Sequence, residues 1–271
     1  MELRPIGILA RKEFRDRIRN RWVLAVALIF TAFALVIAYF GSAQQGAVGF
    51  HGIEATIASL VSLVIYLVPL IALILGFDAV VGERERGSLD LLLSMPLTRL
   101  ELLLGKFLGL SAALTCSTVI GFGVAGAVLA YWQPTASIYH YVGFVLSSVL
   151  FGMSFLSLAV AVSVVASDRA RASGAAIALW FFFVLVYDLL LLGGLVATGG
   201  EYGAEATPYL LLLNPADVYR ILNIFGLEDL RTMYGLTTVF PAELASPALL
   251  GAVMLAWIAA PLAVASWRFR K

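Results

Sequence analysis

The chain has 271 residues, of which 62% are hydrophobic and 13% charged, and its net charge is +1. Soluble domains carry about 25% charged residues, so this composition excludes an ordinary soluble protein. The near-neutral charge predicts no nucleic-acid partner, and the single cysteine excludes a disulfide framework. The apolar residues fall in long uncharged runs, which predict membrane-spanning helices.

Residues 1–21 combine seven basic residues with an apolar stripe. Ile6, Ala10, Phe14 and Ile18 recur at every fourth position, which predicts an amphipathic helix lying in the plane of the lipid headgroups. The alternative is a basic anchor that only orients the next helix. Both interpretations place this segment in the cytoplasm.

Six apolar runs follow, each long enough to cross a membrane. Their approximate bounds are 22–40, 57–81, 103–132, 142–166, 174–198 and 247–267. The first run is too long for the apolar core of a cleaved signal peptide, so we interpret it as an uncleaved helix. The prediction is an all-α integral membrane protein with a single transmembrane domain over residues 1–271.

The basic residues predict the orientation. All of the 18 Lys and Arg residues except Arg220 and Arg231 fall on one side of a six-helix arrangement. Positive charge accumulates on the cytoplasmic side of membrane proteins, so both termini and the loop 82–101 are expected in the cytoplasm of a bacterial inner membrane. Residues 199–246 then form a periplasmic loop, in which we expect short helices.

A dense charged segment separates the second and third spans. Gly82–Met95 is expected to form one short helix with leucines on one face, and Pro96 ends it. Thr98 and Glu101 have the spacing of a capping box at the start of the next helix. A helix held there is suited to receive a push from a soluble partner; the alternative is a solvated turn that only keeps the topology. Lys106 is expected to extend its ammonium to the interface.

The segment Phe77–Asp90, followed by Leu93–Arg99 and by Gly105-Lys106, resembles the signature of ABC-2-type transporter permeases. The six spans and the amphipathic helix also match that family, so the resemblance covers the whole chain. It implies a type V exporter-like permease that pairs with a second copy of itself and with two copies of a cytoplasmic ATPase. ATP and Mg²⁺ are then expected on the ATPase, and this chain is expected to be non-catalytic and without a cofactor.

In that family the charged segment is a coupling helix that docks on the ATPase. Ser88 and Asp90 stand where relatives often carry Thr and Glu, which keeps the chemistry. The residues that the resemblance assigns to ATPase coupling are Glu83, Arg84, Glu85, Arg86, Asp90, Leu93, Met95, Pro96, Thr98 and Arg99.

The stretch Leu211–Leu222, with the whole-chain pattern, is similar to one branch of the family: membrane subunits of transporters that mature the copper sites of nitrous oxide reductase. This branch implies a periplasmic copper-handling β-helix protein as a further partner. Asn214-Pro215 suits a helix start. The loop residues expected to contact the periplasmic partner are Asp217, Tyr219, Arg220 and Phe225. An interfacial aromatic belt is the alternative for the loop aromatics.

Two acidic residues lie within the apolar runs. Asp188 is deep inside the fifth span and is a candidate functional residue, with an interhelical hydrogen bond or a water contact as the competing explanation. Asp78 lies near the cytoplasmic end of its span and is expected to pair with a basic side chain or to cap the loop. Cu(I) prefers soft ligands, and the sequence offers no paired cysteine and no Met-x-x-Met, so we expect no metal on this chain. A joint metal role for His51 and His140 is a minor alternative.

The predicted function is therefore a transporter permease that serves copper-site assembly through export or mechanical signalling. A different cargo, such as a lipid, drug or glycan, is the main alternative. A stand-alone secondary carrier would need intramembrane coupling charges or interrupted helices in related halves. A membrane-embedded hydrolase would need a catalytic cluster, which the sequence does not show. Gly105 and Gly109 are spaced to allow close helix packing.

Overall fold

The structure, a computed structural model, describes residues 3–40, 53–132, 138–197, 206–224, 241 and 244–270. Within these ranges the regular elements are helices and no strand occurs. The helices are α1 (Leu3–Arg19), α2 (Trp22–Phe40), α3 (Ile53–Gly76), α4 (Val81–Glu85), α5 (Ser88–Leu93), α6 (Arg99–Trp132), α7 (Ile138–Val165), α8 (Arg169–Phe181), α9 (Tyr187–Ala197), α10 (Thr207–Leu211), α11 (Pro215–Ile224) and α12 (Pro247–Arg270).

Six segments of the described chain are long and apolar enough to cross a membrane, as predicted. Four of them are the single helices α2, α6, α7 and α12, and the other two combine α3 with α4 and α8 with α9. The helices of the third and sixth membrane segments are longer than the apolar runs, because α6 already begins at Arg99 and α12 continues to Arg270. Helical hydrogen bonding does not stop where the side chains become polar, so the ends of the helices reach beyond the apolar part.

The helix α7 is central and packs against α3, α6, α11 and α12. Its Phe144 contacts Phe122 of α6 edge to face at 5.1 Å, and Phe122 stacks on Phe30 of α2 at 4.9 Å. Further along α7, Phe151 stacks on Tyr219 of α11 at 4.6 Å. These buried aromatic rings form one continuous core, while large apolar side chains such as Leu28 of α2 are exposed where lipid would cover them.

One face of α7 carries buried serines that contact the neighbouring helices. Pro261 lies inside α12 and has no N–H to donate to the main-chain oxygen of Trp257, four residues earlier. The hydroxyl of Ser157 lies 3.0 Å from that oxygen and 2.7 Å from the main-chain oxygen of Ser154, and its single proton is shared between the two. A side chain from α7 thus satisfies the carbonyl that the proline leaves open, which is how prolines are tolerated in membrane helices.

Five residues of π-helix, Phe182–Val186, join α8 to α9. The side-chain amide of Asn214, just before α11, donates to the main-chain oxygen of Phe183 at 3.0 Å. Widened turns of this type leave carbonyls without their regular partners, and the buried Asn214 supplies one. The fifth span and α11 are therefore joined by a polar contact inside the bundle.

The first helix buries a different face from the predicted apolar stripe. The residues of α1 that are buried are Ile6, Leu9 and Glu13, whereas Ile18 is exposed. This face packs lengthwise against α6. The close approach depends on two glycines of α6: a Cβ on Gly105 would lie 2.6 Å from Leu9 Cβ, and one on Gly109 would lie 2.5 Å from the oxygen of Ala10. The predicted close packing at these glycines is confirmed.

Candidate coupling site

The charged segment lies at the end of the bundle where α1 packs on α6 and where α7 and α12 end; we call this the basic end. The segment is not the single helix that was predicted. It forms two short helices, α4 and α5, and Gly87 between them has φ +69°. Left-handed backbone costs little only for a residue without a Cβ, so this glycine sets the break in the helix.

Glu83 of α4 connects the segment to α6 and α1. Lys106 of α6 lies 3.1 Å from the Glu83 carboxylate and 2.8 Å from that of Glu13 in α1. Ser88 of α5 also donates to the Glu83 carboxylate. The side chain of Lys106 is 4% exposed, so the expectation that it extends to the interface was wrong. Two carboxylates hold its charge inside the protein, which compensates for its desolvation.

Arg84 connects the segment to the end of α7. Its Nη1 donates to the main-chain oxygen of Ala166 at 2.7 Å and its Nη2 to that of Val164 at 3.1 Å. The main-chain N–H groups of Val80 and Val81 both donate to the buried hydroxyl of Ser163 in α7. The guanidinium therefore caps the carboxyl end of α7, where open carbonyls and the helix dipole favour a cation.

Two carboxylates connect the segment to the start of α8. Glu85 accepts from the main-chain N–H of Arg169 at 2.6 Å, and the Arg169 side chain lies 2.7 Å from Asp78. The prediction that Asp78 pairs with a basic side chain is confirmed. At the same helix start Asp168 is the N-cap, and hydrogen bonds from the Arg171 N–H and the hydroxyl at position 167 hold the pKa of Asp168 below its usual range.

The capping box after Pro96 is present. Glu101 accepts from the main-chain N–H of Thr98 at 2.9 Å, and its own N–H donates to the Thr98 hydroxyl at 3.2 Å. The neighbouring Arg99 donates to the main-chain oxygen of Phe269 at 2.7 Å, and its guanidinium lies 5.6 Å from the Phe269 ring centre. The start of α6 is thereby held to the end of α12.

The remaining predicted coupling residues differ in how far they are exposed. Arg86, Asp90, Met95 and Pro96 are exposed, whereas Leu93 is half-buried against the core. Leu91, which was not among the predicted coupling residues, is 67% exposed. The predicted residues thus divide into an inner group that holds the segment to the bundle and an outer group available to a partner. Leu89 is buried and Leu92 and Leu93 are half-buried against the core, which confirms the predicted leucine face of this segment and leaves Leu91 on the outside.

At the opposite end of the bundle α11 lies between α3, α7 and α12. Arg220 bridges two carboxylates, at 2.6 Å from Asp217 and 3.1 Å from Asp188. Asn214 donates to the other oxygen of Asp217 at 2.8 Å. The polar contact that competed with a functional role for Asp188 is present, and any functional role for Asp188 stays a prediction.

The placement of α11 corrects two of the predicted partner contacts. Asp217 is 1% and Tyr219 0% exposed, and the Tyr219 hydroxyl lies 2.9 Å from that of Ser148 in α7. Both residues belong to the bundle interior and are not available to a periplasmic partner in this conformation. The side chain of Arg220 is partly exposed, and Phe225 lies outside the described residues.

Sequence reasoning missed two features of the site. The first is the pairing of Glu13 with Lys106 across the α1–α6 interface. The signal in the sequence was Lys106 itself, an isolated lysine beside an apolar run. The second is the role of the α7 serines as partners for main-chain groups. Within the described chain no three His, Cys, Asp or Glu side chains gather as a metal site, and His51 lies outside it.

Comparison with known proteins places the chain in a family. Residues 8–271 match the family model described as ABC-2 family transporter protein. A relative from Pseudomonas aeruginosa, named probable ABC transporter permease protein NosY, is 45% identical over 270 residues, which cover 98% of each chain. A relative of the same name from Stutzerimonas stutzeri is 44% identical over 268 residues, covering 97% of each chain. The chain therefore belongs to the ABC-2 family of transporter permeases.

Proposed function

We propose that this permease couples ATP hydrolysis on a separate ATPase subunit to a rearrangement at the far end of its bundle. The observation that carries the proposal is that one short segment is held to three helices. Glu83 holds it to α6, Arg84 to α7 and Glu85 to α8. A partner that displaces the segment therefore displaces three spans together, because these contacts leave it little independent freedom.

The outer face of the segment is the proposed docking surface, which consists of Arg86, Asp90, Leu91, Met95 and Pro96. Leu91 is 67% and Met95 49% exposed. Exposed apolar side chains flanked by charges are typical of a surface that a protein covers. The membership of an ABC permease family supports an ATPase as that protein.

We further propose that the transporter serves copper-site assembly of nitrous oxide reductase. The support is the similarity to relatives named NosY over nearly the whole chain and the resemblance noted in the loop Leu211–Leu222. The partners would then include a periplasmic copper-handling β-helix protein, and the location would be the bacterial inner membrane with both termini cytoplasmic. Another cargo, such as a lipid, drug or glycan, is the alternative within the same family.

A second copy of the chain is part of the proposal. Among the candidate spans of the described chain, Arg169–Ala197 is the least buried. Its exposed apolar residues include Phe181 and Leu189. A bundle that leaves one apolar span so open is suited to pair along it with a second copy.

The test is purification from native membranes through a carboxy-terminal tag, with the accompanying chains identified by mass. An ATPase together with a periplasmic copper-binding protein is the expected result. Recovery of an ATPase alone would support the role as a transporter subunit and would leave the role in copper-site assembly without support. If no ATPase accompanies the permease in any mild detergent, the coupling proposal fails.

A further inference from the structure

A cavity of about 530 Å³ lies at the basic end, between the α4–α5 pair and the ends of α7 and α12. Three arginines line it: Arg84 of the coupling segment, Arg99 at the start of α6 and Arg268 near the end of α12. Asp90 is the one acidic residue of the lining, so the cavity keeps a net positive charge. It is separate from the outward face proposed for ATPase docking, apart from Asp90 at its edge.

Two of the arginines are fixed in place by main-chain oxygens. Arg84 donates to Val164 and Ala166, and Arg99 donates to Phe269. None of the ion pairs found among the described residues involves any of the three arginines. A guanidinium has five N–H donors, so both retain donors after these bonds. The cavity therefore presents two oriented guanidinium groups that have no ion-pair partner among the described residues, the geometry that suits a phosphate.

The position of the cavity indicates where such a phosphate comes from. The apolar runs begin or end near residues 103, 166 and 267, each within about one helical turn of a lining residue of the cavity: Arg99, Val165 and Phe269. The cavity thus lies where spans meet the polar layer of a membrane. Trp267, which is 59% exposed, lies one residue from Arg268, and tryptophan is enriched at that depth.

The remaining lining is apolar, from Leu89, Leu93 and Val164 among others. A free phosphate ion would gain nothing from these side chains, whereas the glycerol and upper acyl carbons of a lipid would bury against them. Basic pockets between the ends of membrane helices bind anionic headgroups in this way.

We propose that this cavity binds the phosphate group of an anionic phospholipid. Arg84 and Arg99 provide its fixed donors and Arg268 provides a mobile one. The bound lipid joins the coupling segment to the end of α12. The proposal does not depend on the identity of the cargo.

The experiment is native mass spectrometry of the full-length chain in mild detergent, titrated with phosphatidylglycerol or with phosphatidylcholine of the same acyl chains. Arg268→Gln is the test variant, because no hydrogen bond found in the described chain uses its side chain. Arg11→Gln is the matched control, an exposed arginine of α1 outside the cavity. Circular dichroism of each variant checks that the helices are retained.

Wild-type protein is expected to prefer phosphatidylglycerol, and Arg268→Gln to weaken its binding about tenfold, as the loss of a charge-assisted hydrogen bond does. Arg11→Gln is expected to stay within about twofold of the wild type, as exposed charges do. Equal losses in both variants would show general charge attraction and overturn the site. Displacement of the lipid by millimolar inorganic phosphate would assign the cavity to a soluble anion. Loss of the lipid when the ATPase binds would assign it to the protein interface instead.

Discussion

Lys106 and Glu13 form a buried ion pair of 2.8 Å although 93 positions separate them in the sequence. The pair joins the first helix to the third span, and through Glu83 it also joins both to the coupling segment. An ion pair in this position holds the coupling segment to the first helix and to the third span.

Replacing Lys106 with Met is expected to destabilise the protein by about 3–5 kcal/mol, because it removes the buried cation that the carboxylates of Glu13 and Glu83 share. The measurement is thermal unfolding of the purified protein in detergent. Lys12→Met is the control: Lys12 is half-exposed and lies 4.0 Å from Glu13, so its loss should leave the melting temperature unchanged. Equal melting temperatures for Lys106→Met and wild type would contradict the structural role of the pair.

Ser157 is expected to stabilise the bundle because of Pro261. Ser157→Ala leaves the Trp257 oxygen without a hydrogen bond in an apolar setting and should cost about 1–3 kcal/mol. In a Pro261→Ala background the helix supplies its own N–H to that oxygen, so the same serine change should cost distinctly less. A double-mutant cycle of unfolding free energies measures the difference. Additive effects would mean that the hydroxyl does not compensate for the proline.

Two glycines of α6 provide a matched test of the α1 interface. A Cβ at Gly109 would meet the Ala10 oxygen at 2.5 Å, whereas one at Gly123 would meet nothing within 4 Å. Both changes to Ala raise helix propensity equally. Gly109→Ala is therefore expected to destabilise by about 1–3 kcal/mol through overpacking, while Gly123→Ala is neutral or stabilising.

Limited trypsin digestion gives a second readout of the same pair of variants. If Gly109→Ala loosens α1, trypsin should cut the peptide bonds after Arg15 and Arg19 faster than in the wild type. Cleavage at the wild-type rate in both variants would show that α1 does not depend on the close approach to α6.

The outward face of the coupling segment can be tested without disturbing its attachment. Leu91→Glu places a charge on a leucine that is 67% exposed, and it should abolish co-purification of the ATPase while the permease stays folded. Leu3→Glu, on an 81% exposed leucine of α1, is the matched control and should retain the ATPase. Charge reversal at Glu83 or Glu85 is a poorer test, since both carboxylates hold the segment to the bundle. Normal co-purification of Leu91→Glu would exclude this face as the docking surface.

Much of the fold could be predicted from the sequence. Runs of uncharged residues predicted all six membrane segments, and the Thr98–Glu101 spacing predicted a capping box. These features are local, because hydropathy and main-chain capping depend only on residues a few positions apart. The charged segment that carries the family resemblance is local as well, and for that reason it was recognised from its residues.

Other features were decided by the tertiary structure. A helix such as α6 is apolar nearly all round, so its sequence gives no signal for which side faces a neighbour. The burial of Lys106 depends on the distant Glu13, and the burial of Tyr219 depends on α11 entering the space between α3, α7 and α12. The sequence by itself determined which segments lie in the membrane and where the charges fall. Only the tertiary structure decided which charges turn inward, because pairing requires residues that are distant along the chain to meet.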